Sequence, residues 1–158
     1  LGKKKIMNSI SKTFISSTFW TESIGPTAAI ATLKVMEKKK SWKYITNLGI
    51  YIRKKWLQVA KKNKVKIKIQ GIPSLSTFIF QSKNHQAYKT YITQEMLKNG
   101  FLATTTIYVS ISHTKKIINK YMKCLDEIFL VISRCERGDD IYRYLDTKVS
   151  ETDFARLN

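Results

Sequence analysis

The stretch that decides the fold reads FISSTFWTESIGPTAAIATLKVM and runs from Phe14 to Met36. Its first part, Phe14 to Thr21, mixes hydroxyl side chains with aromatic ones, and the part after Gly25-Pro26 is rich in alanine and aliphatic residues. Proline suits the first helical position, because its missing N–H needs no partner there and its φ is already helical. We therefore predict a helix over residues 26–38 that is buried on more than one face.

The hydroxyl-rich turn lies directly before the amino end of this helix. Such an end offers free N–H groups and a partial positive charge, which suits a phosphate. The alternative is a capped core helix with Thr21 or Ser23 as the cap. Residue chemistry alone favours the capped helix, and both interpretations stay open at this point.

A family resemblance enters at the same residues. Thr21-Glu-Ser-Ile-Gly-Pro26, followed by an alanine-rich helix, resembles the Thr-x-Ser-Gly-Asn-Pro segment of class III (fold type I) pyridoxal-phosphate aminotransferases, with the glutamate-1-semialdehyde aminomutase branch most similar. Leu1-Gly-Lys-Lys-Lys-Ile-Met7 is similar to the Gly-basic-x-x-Met piece upstream of that segment. The resemblance spans all 158 residues and is specific over residues 1–36. Weaker single motifs follow at Asn99–Leu102, Ser112–Thr114 and Phe154–Leu157.

The resemblance implies a place for this chain in a longer enzyme. Residues 1–25 correspond to the end of the large-domain segment, with the cofactor-phosphate and dimer loop. Residues 26–158 correspond to the carboxy-terminal small domain, with its linking helices, three-stranded sheet, final long helix and tail. The implied activity is amino-group transfer with pyridoxal 5'-phosphate on an amino-acid or amino-sugar type substrate, in a homodimer.

The resemblance also implies which residues touch the cofactor. The family's Schiff-base lysine lies upstream of the matching segment, so no catalytic residue is expected here and the chain alone is not expected to be active. The family places in this segment a hydroxyl that reaches the cofactor phosphate of the other subunit. Thr21 matches that residue, Thr18 is the fallback and Ser17 a weaker one. The sequence departs from the commoner pattern at Glu22, Ile24 and Gly25.

Hydrophobic periodicity predicts an α+β fold, a small antiparallel sheet of about three strands covered by helices. A long helix over Trp42–Lys62 places Ile45, Leu48, Ile52, Trp56 and Val59 on one stripe, with Arg53 on its polar face. The other predicted elements are strands at 65–69, 75–80 and 104–111, a helix at 85–99 capped by Asn84, and a helix from Lys115 to about Arg134 capped by Thr114. A turn is predicted at 71–74, a carboxyl cap at Asn99-Gly100, and a tail anchored by Tyr144, Leu145, Phe154 and Leu157.

The charge is strongly positive, with 29 Lys and Arg against 11 Asp and Glu and a net charge of +18. The excess is mostly lysine spread along the chain, which favours a solvated surface over a specific nucleic-acid site. Two other classes stay open: a polyanion-binding module, and a degenerate interaction domain that kept the fold without the chemistry.

No other group of residues in the sequence indicates a catalytic or metal-binding site. His85 and His113 lack metal-type companions and are interpreted as an exposed and a structural residue. Asp126-Glu127 is placed on the exposed side of the last helix. Cys124 and Cys135 are too far apart on one helix for a disulfide, which fits a cytoplasmic chain. We expect no metal site and no membrane span.

Overall fold

The structure, a computed structural model, describes residues 3–9, 12 and 22–151. The elements in these ranges are α1 (Lys4–Met7), α2 (Ile24–Lys39), α3 (Ser41–Lys62), β1 (Ile67–Ile72), β2 (Leu75–Phe80), α4 (His85–Lys98), β3 (Thr106–Tyr108), α5 (Lys115–Cys135) and a 3₁₀ helix (Ile141–Tyr144). Three antiparallel strands with helices confirm the predicted α+β class.

The chain divides into two compact units, Leu1–Lys40 and Ser41–Asn158, and each is described by itself. The predicted boundary between residues 25 and 26 separates two domains of a longer enzyme and stays a prediction.

In the first unit, α2 differs from its prediction in two ways. It begins at Ile24, because the Glu22 carboxylate accepts the N–H of Gly25 at 3.0 Å and supports an earlier first turn. Pro26 therefore lies inside that turn, where its missing N–H costs nothing. Within the described residues α2 buries none of its side chains, contrary to the prediction, and Leu33 is 62% exposed.

The second unit holds the sheet, in the order β1-β2-β3. Ile72 pairs with Leu75, so the β1–β2 hairpin turns over only Pro73 and Ser74. Gly71 has a φ of 83°, which glycine adopts without strain, and it still pairs with Ser76. For this reason the first strand runs to Ile72, and the predictions of a strand at 65–69 and a turn at 71–74 are too early.

The third strand is shorter than predicted. β3 forms over Thr106–Tyr108 instead of 104–111, and Tyr108 pairs with Leu75, the first residue of β2. Residues after Tyr108 therefore have no strand residue opposite them.

Helices α3, α4 and α5 cover one face of the sheet, and the opposite face is exposed, with Ile79 40% accessible. At the centre of the core the Trp56 ring meets Phe78 edge to face at 4.8 Å, and its indole N–H donates to the Tyr121 hydroxyl at 3.1 Å. In α3, Leu48, Ile52 and Trp56 are buried as predicted. The predicted stripe of α5 is buried throughout: Ile118, Tyr121, Met122, Leu125, Ile128, Phe129 and Ile132.

Two of the three predicted helix caps in this unit are confirmed. After α4, Gly100 has a φ of 77° and Phe101 N–H donates to the Met96 carbonyl at 2.8 Å, which is a Schellman arrangement. Thr114 caps α5 by accepting a backbone N–H. Asn84 stands at the predicted N-cap position of α4, but its side chain makes no cap hydrogen bond, and its own N–H donates to a neighbouring serine hydroxyl.

Two charged residues that were placed on solvent-facing surfaces hold elements together. Arg53 donates from Nε to Ser76 Oγ at 2.7 Å and from Nη2 to the Gly71 carbonyl at 2.6 Å. Asp126 is half-buried and accepts from Asn63 Nδ2 at 2.7 Å. Arg53 therefore fastens α3 to the hairpin, and Asp126 fastens α5 to the end of α3.

The tail is anchored by a residue that periodicity did not indicate. Ile141, the first residue of the 3₁₀ helix, is 1% exposed. The predicted anchors Tyr144 and Leu145 are half-buried against the core. Phe154 and Leu157 lie outside the described residues.

The close approach of α3 to the hairpin generates a stability prediction. A Cβ built on Gly49 would lie far inside van der Waals contact of the Pro73 carbonyl oxygen, and the obstacle is backbone. Gly49→Ala should therefore lower the free energy of unfolding by at least about 2 kcal/mol, measured by urea denaturation. Asn47→Ala on an exposed position of the same helix should change it by less than about 0.5 kcal/mol. Equal stability of the two variants would contradict the close approach.

Candidate functional site

The residues predicted to contact a cofactor phosphate, Thr21 and Thr18, lie outside the described residues, as does the weaker candidate Ser17. The nearest residue that the structure describes is Glu22, which leads directly into α2.

The amino end of α2 already carries an anionic group. Glu22 Oε1 and Oε2 accept the Gly25 N–H at 3.0 and 3.2 Å, whereas Ser23 makes no side-chain cap. A carboxylate here is stabilised by the partial positive charge of the helix end. A second anion at the same N–H would have to displace Glu22. At Glu22 the sequence departs from the pattern of the family it resembles. As a consequence, the Gly25 N–H already has a hydrogen-bond partner.

Neither histidine shows the surroundings of a proton carrier. His85 is exposed at the start of α4, as predicted. His113 Nδ1 accepts the N–H of Ser110 at 3.3 Å, and its carbonyl accepts the Tyr44 hydroxyl at 2.9 Å. These bonds tie the β3–α5 connection to α3, so His113 has the structural role that was expected.

The two thiols are poor nucleophiles. Cys124 and Cys135 are both free and lie on α5. Burial, with nearby Glu127, raises the pKa of Cys124, and burial, with nearby acidic residues, raises the pKa of Cys135. Both therefore stay protonated at neutral pH, in the less reactive form. Over the ranges that the structure describes, no group of three His, Cys, Asp or Glu residues is placed to hold a metal ion.

Glu136, the residue directly after α5, is a structural acceptor. Its Oε1 accepts the Ser82 hydroxyl at 2.7 Å and the Tyr88 hydroxyl at 2.6 Å. Burial, together with the hydrogen bond to Glu136, raises the pKa of Tyr88 to about 12. The loop after α5 is thereby connected to the start of α4.

A cavity of about 280 Å³ lies between β3 and the first turns of α5. Its walls are mostly apolar and include Phe101, Ile107, Ile118 and Tyr121. Thr104 also lines it, and the hydroxyl of Thr104 is buried with no hydrogen-bond partner. The sequence does not indicate this cavity, because Thr104 is only one residue of a predicted strand that is rich in β-branched residues.

Comparison with solved structures finds a similar fold in part of a longer chain. The chain is similar to the FumI protein of Sphingopyxis sp. MTA144, solved in its PLP (pyridoxal phosphate) internal aldimine form, with a TM-score of 0.77 and 17% sequence identity. The match covers 90% of this chain and 35% of that chain, so this chain spans about a third of the FumI length. It thus shares its fold with a segment of FumI. No protein-family model and no curated protein matches it.

Among the described residues, no helix combines the length and apolar character that crossing a bilayer requires.

The unpaired Thr104 hydroxyl leads to a paired test. Thr104→Val keeps the shape and removes a buried polar group that lacks a partner, so it should raise the free energy of unfolding by about 1 kcal/mol. Thr106→Val removes a 2.9 Å hydrogen bond to Thr77 and should lower it by a similar amount, about 1 kcal/mol. Chemical denaturation at one pH compares the two. Equal losses in both variants would mean that Thr104 has a partner after all.

Proposed function

We propose that this chain is the carboxy-terminal part of a PLP-dependent class III aminotransferase, of the glutamate-1-semialdehyde aminomutase-like branch. The observation that carries the proposal is the fold shared with FumI over 90% of this chain. The Thr21–Pro26 segment and the basic piece before it, which resemble that family, support the finer assignment.

The proposed cofactor is pyridoxal 5'-phosphate, which serves in such enzymes as an electron sink for amino-group transfer. In the proposal Thr21 donates its hydroxyl to the cofactor phosphate of the dimer partner, with Thr18 as the alternative donor. The occupied N–H of Gly25 favours a contact made by a side-chain hydroxyl over one made by the end of α2. The described residues therefore fit a phosphate that is bound by the residues preceding α2.

The exposed surface of α2 supports a place within a larger assembly. Ile30, Leu33 and Val35 are 55%, 62% and 48% exposed, and they point to more than one side of the helix. A helix that is apolar around most of its circumference is typically buried on several sides. We propose that the remainder of the enzyme and its dimer partner cover it.

The surroundings of the reactive groups support a chain that does not catalyse alone. The thiols have raised pKa values, and His113 is engaged in backbone hydrogen bonds. The catalytic lysine is proposed to lie in a preceding segment. The proposed substrate is a small amino acid or amino sugar, and two free cysteines support the proposed cytoplasmic location.

The direct test records absorbance while the purified chain is titrated with pyridoxal phosphate. We expect no saturable internal aldimine band, because the lysine that forms it is proposed to lie elsewhere. Borohydride reduction and peptide mapping identify any lysine that reacts. A saturable band lost on substitution of one particular lysine would falsify the proposal that this chain lacks the catalytic lysine.

The assignment of Thr21 is tested in the complete enzyme that the proposal requires. Thr21→Val should weaken cofactor binding about tenfold or more, because a hydrogen bond to a charged group contributes about 1.5–3 kcal/mol. Thr18→Val is the matched control and should change the dissociation constant less than about twofold. The reverse order, with Thr18→Val weakening binding and Thr21→Val leaving it unchanged, contradicts the assignment.

A further inference from the structure

A basic groove lies between α3 and α5 in the second unit. The two helices run side by side in the same direction, because Tyr44 contacts His113 near their starts and Lys62 contacts Asp126 near the end of α3. The groove between the two helices has a volume of about 460 Å³. We call it the α3–α5 groove and define it by Tyr51, Lys55, Lys62, Asn119, Lys123 and Asp126.

The charge in this groove is not balanced. Asp126 is its one carboxylate among the described residues, and it is already engaged by Lys62 Nζ and Asn63 Nδ2. Burial alone would raise the pKa of Asp126, but hydrogen bonds from Lys62 and Asn63 lower it overall, so the carboxylate stays ionised at neutral pH. Within the part of the chain that the structure describes, Lys55 and Lys123 form no ion pair.

An aromatic ring gathers two lysines at the same place. The Tyr51 hydroxyl donates to Asn119 Oδ1 at 2.9 Å, which connects the two helices. Lys55 Nζ lies 5.6 Å and Lys115 Nζ 5.9 Å from the centroid of the Tyr51 ring. Cation–π attraction holds each ammonium near the ring. Because Tyr51 itself lines the groove, the ring keeps this positive charge close to the groove.

The chemistry of the groove selects a class of ligand. Lysine ammonium groups bind phosphate oxygens as point charges, and a concave surface of one sign focuses the field on an anion. The volume matches that of small-molecule sites, which occupy about 300–1,000 Å³. Lys55 and Lys123 line the groove and Lys115 lies near its Tyr51 ring, so a multiply charged anion fits better than a monoanion.

We propose that the α3–α5 groove binds a small polyphosphate anion, such as the triphosphate group of a nucleotide. This site is independent of the proposed cofactor contact, because all its residues belong to the second unit and none belongs to the Thr21 segment. Lys55 and Lys123 bind the phosphate oxygens, and Lys115 adds positive charge beside Tyr51. Tyr51 is a positioning residue whose ring attracts Lys55 and Lys115.

The test measures binding of sodium tripolyphosphate to the full 158-residue chain by isothermal titration calorimetry at low salt, with ATP and adenosine as further probes. Lys55→Gln/Lys123→Gln should raise the dissociation constant of tripolyphosphate about tenfold or more. The matched control Lys61→Gln/Lys120→Gln removes the same charge from exposed positions of the same helices outside the groove, and should raise it less than about threefold. Thermal melts check that both variants are folded.

Each outcome decides the proposal. A selective loss in the groove variant, with ATP binding like tripolyphosphate and adenosine not binding, supports it. Equal losses in both variants would show that affinity follows total charge, and the site would be rejected. Absence of tripolyphosphate binding, or tight binding of a 20-nucleotide oligonucleotide without it, also overturns the small-anion site. An internal aldimine in the cofactor titration would leave this result unaffected, so the two proposals fail separately.

Discussion

The second unit depends on the contact between α3 and the turn of the β1–β2 hairpin. The backbone of α3 reaches the Pro73 carbonyl at Gly49, where any side chain would hold the two apart. Arg53, one turn further along, donates to the Gly71 carbonyl and to the hydroxyl of the fully buried Ser76. The Ser76 hydroxyl in turn donates to the Pro73 carbonyl at 3.0 Å, so the serine connects the guanidinium to the hairpin turn. These contacts thus fix the distance and the angle between the hairpin and α3.

That geometry directs the aromatic core. With the hairpin held on α3, Phe78 and Phe80 face the helices, and Phe78 meets both Trp56 and Phe129. The Trp56 indole N–H donates to Tyr121, so α5 is joined directly to α3 as well as to β2. The same parallel placement of α3 and α5 creates the groove on their outer side. A surface with binding chemistry therefore arises from the packing that builds the core.

Periodicity predicted the elements because they satisfy local rules. The stripes of α3 and α5 recur every three to four residues, and Thr114 and Gly100 have the cap preferences of their residue types. The sequence did not predict that three charged residues join separate elements: Arg53, Asp126 and Glu136. Each has a partner 18 to 63 residues away, and no pattern along the chain relates such pairs. The groove escaped prediction for the same reason, since its lysines belong to two helices.

The positive charge of this chain acquires a different meaning once it is placed in the fold. A net charge of +18 opposes the compact state, and lysines spread along the chain keep that cost low. The α3–α5 groove departs from this arrangement, because it brings ammonium groups without ion pairs to one concave site beside a carboxylate that is already paired. Tyr51 attracts two lysines near this site, and a bound anion would offset their positive charge. Binding there would stabilise the folded second unit by mass action, whether or not α2 and the residues before it contribute to a cofactor site. Lysines that are spread along the sequence are therefore brought together at one place by α3 and α5.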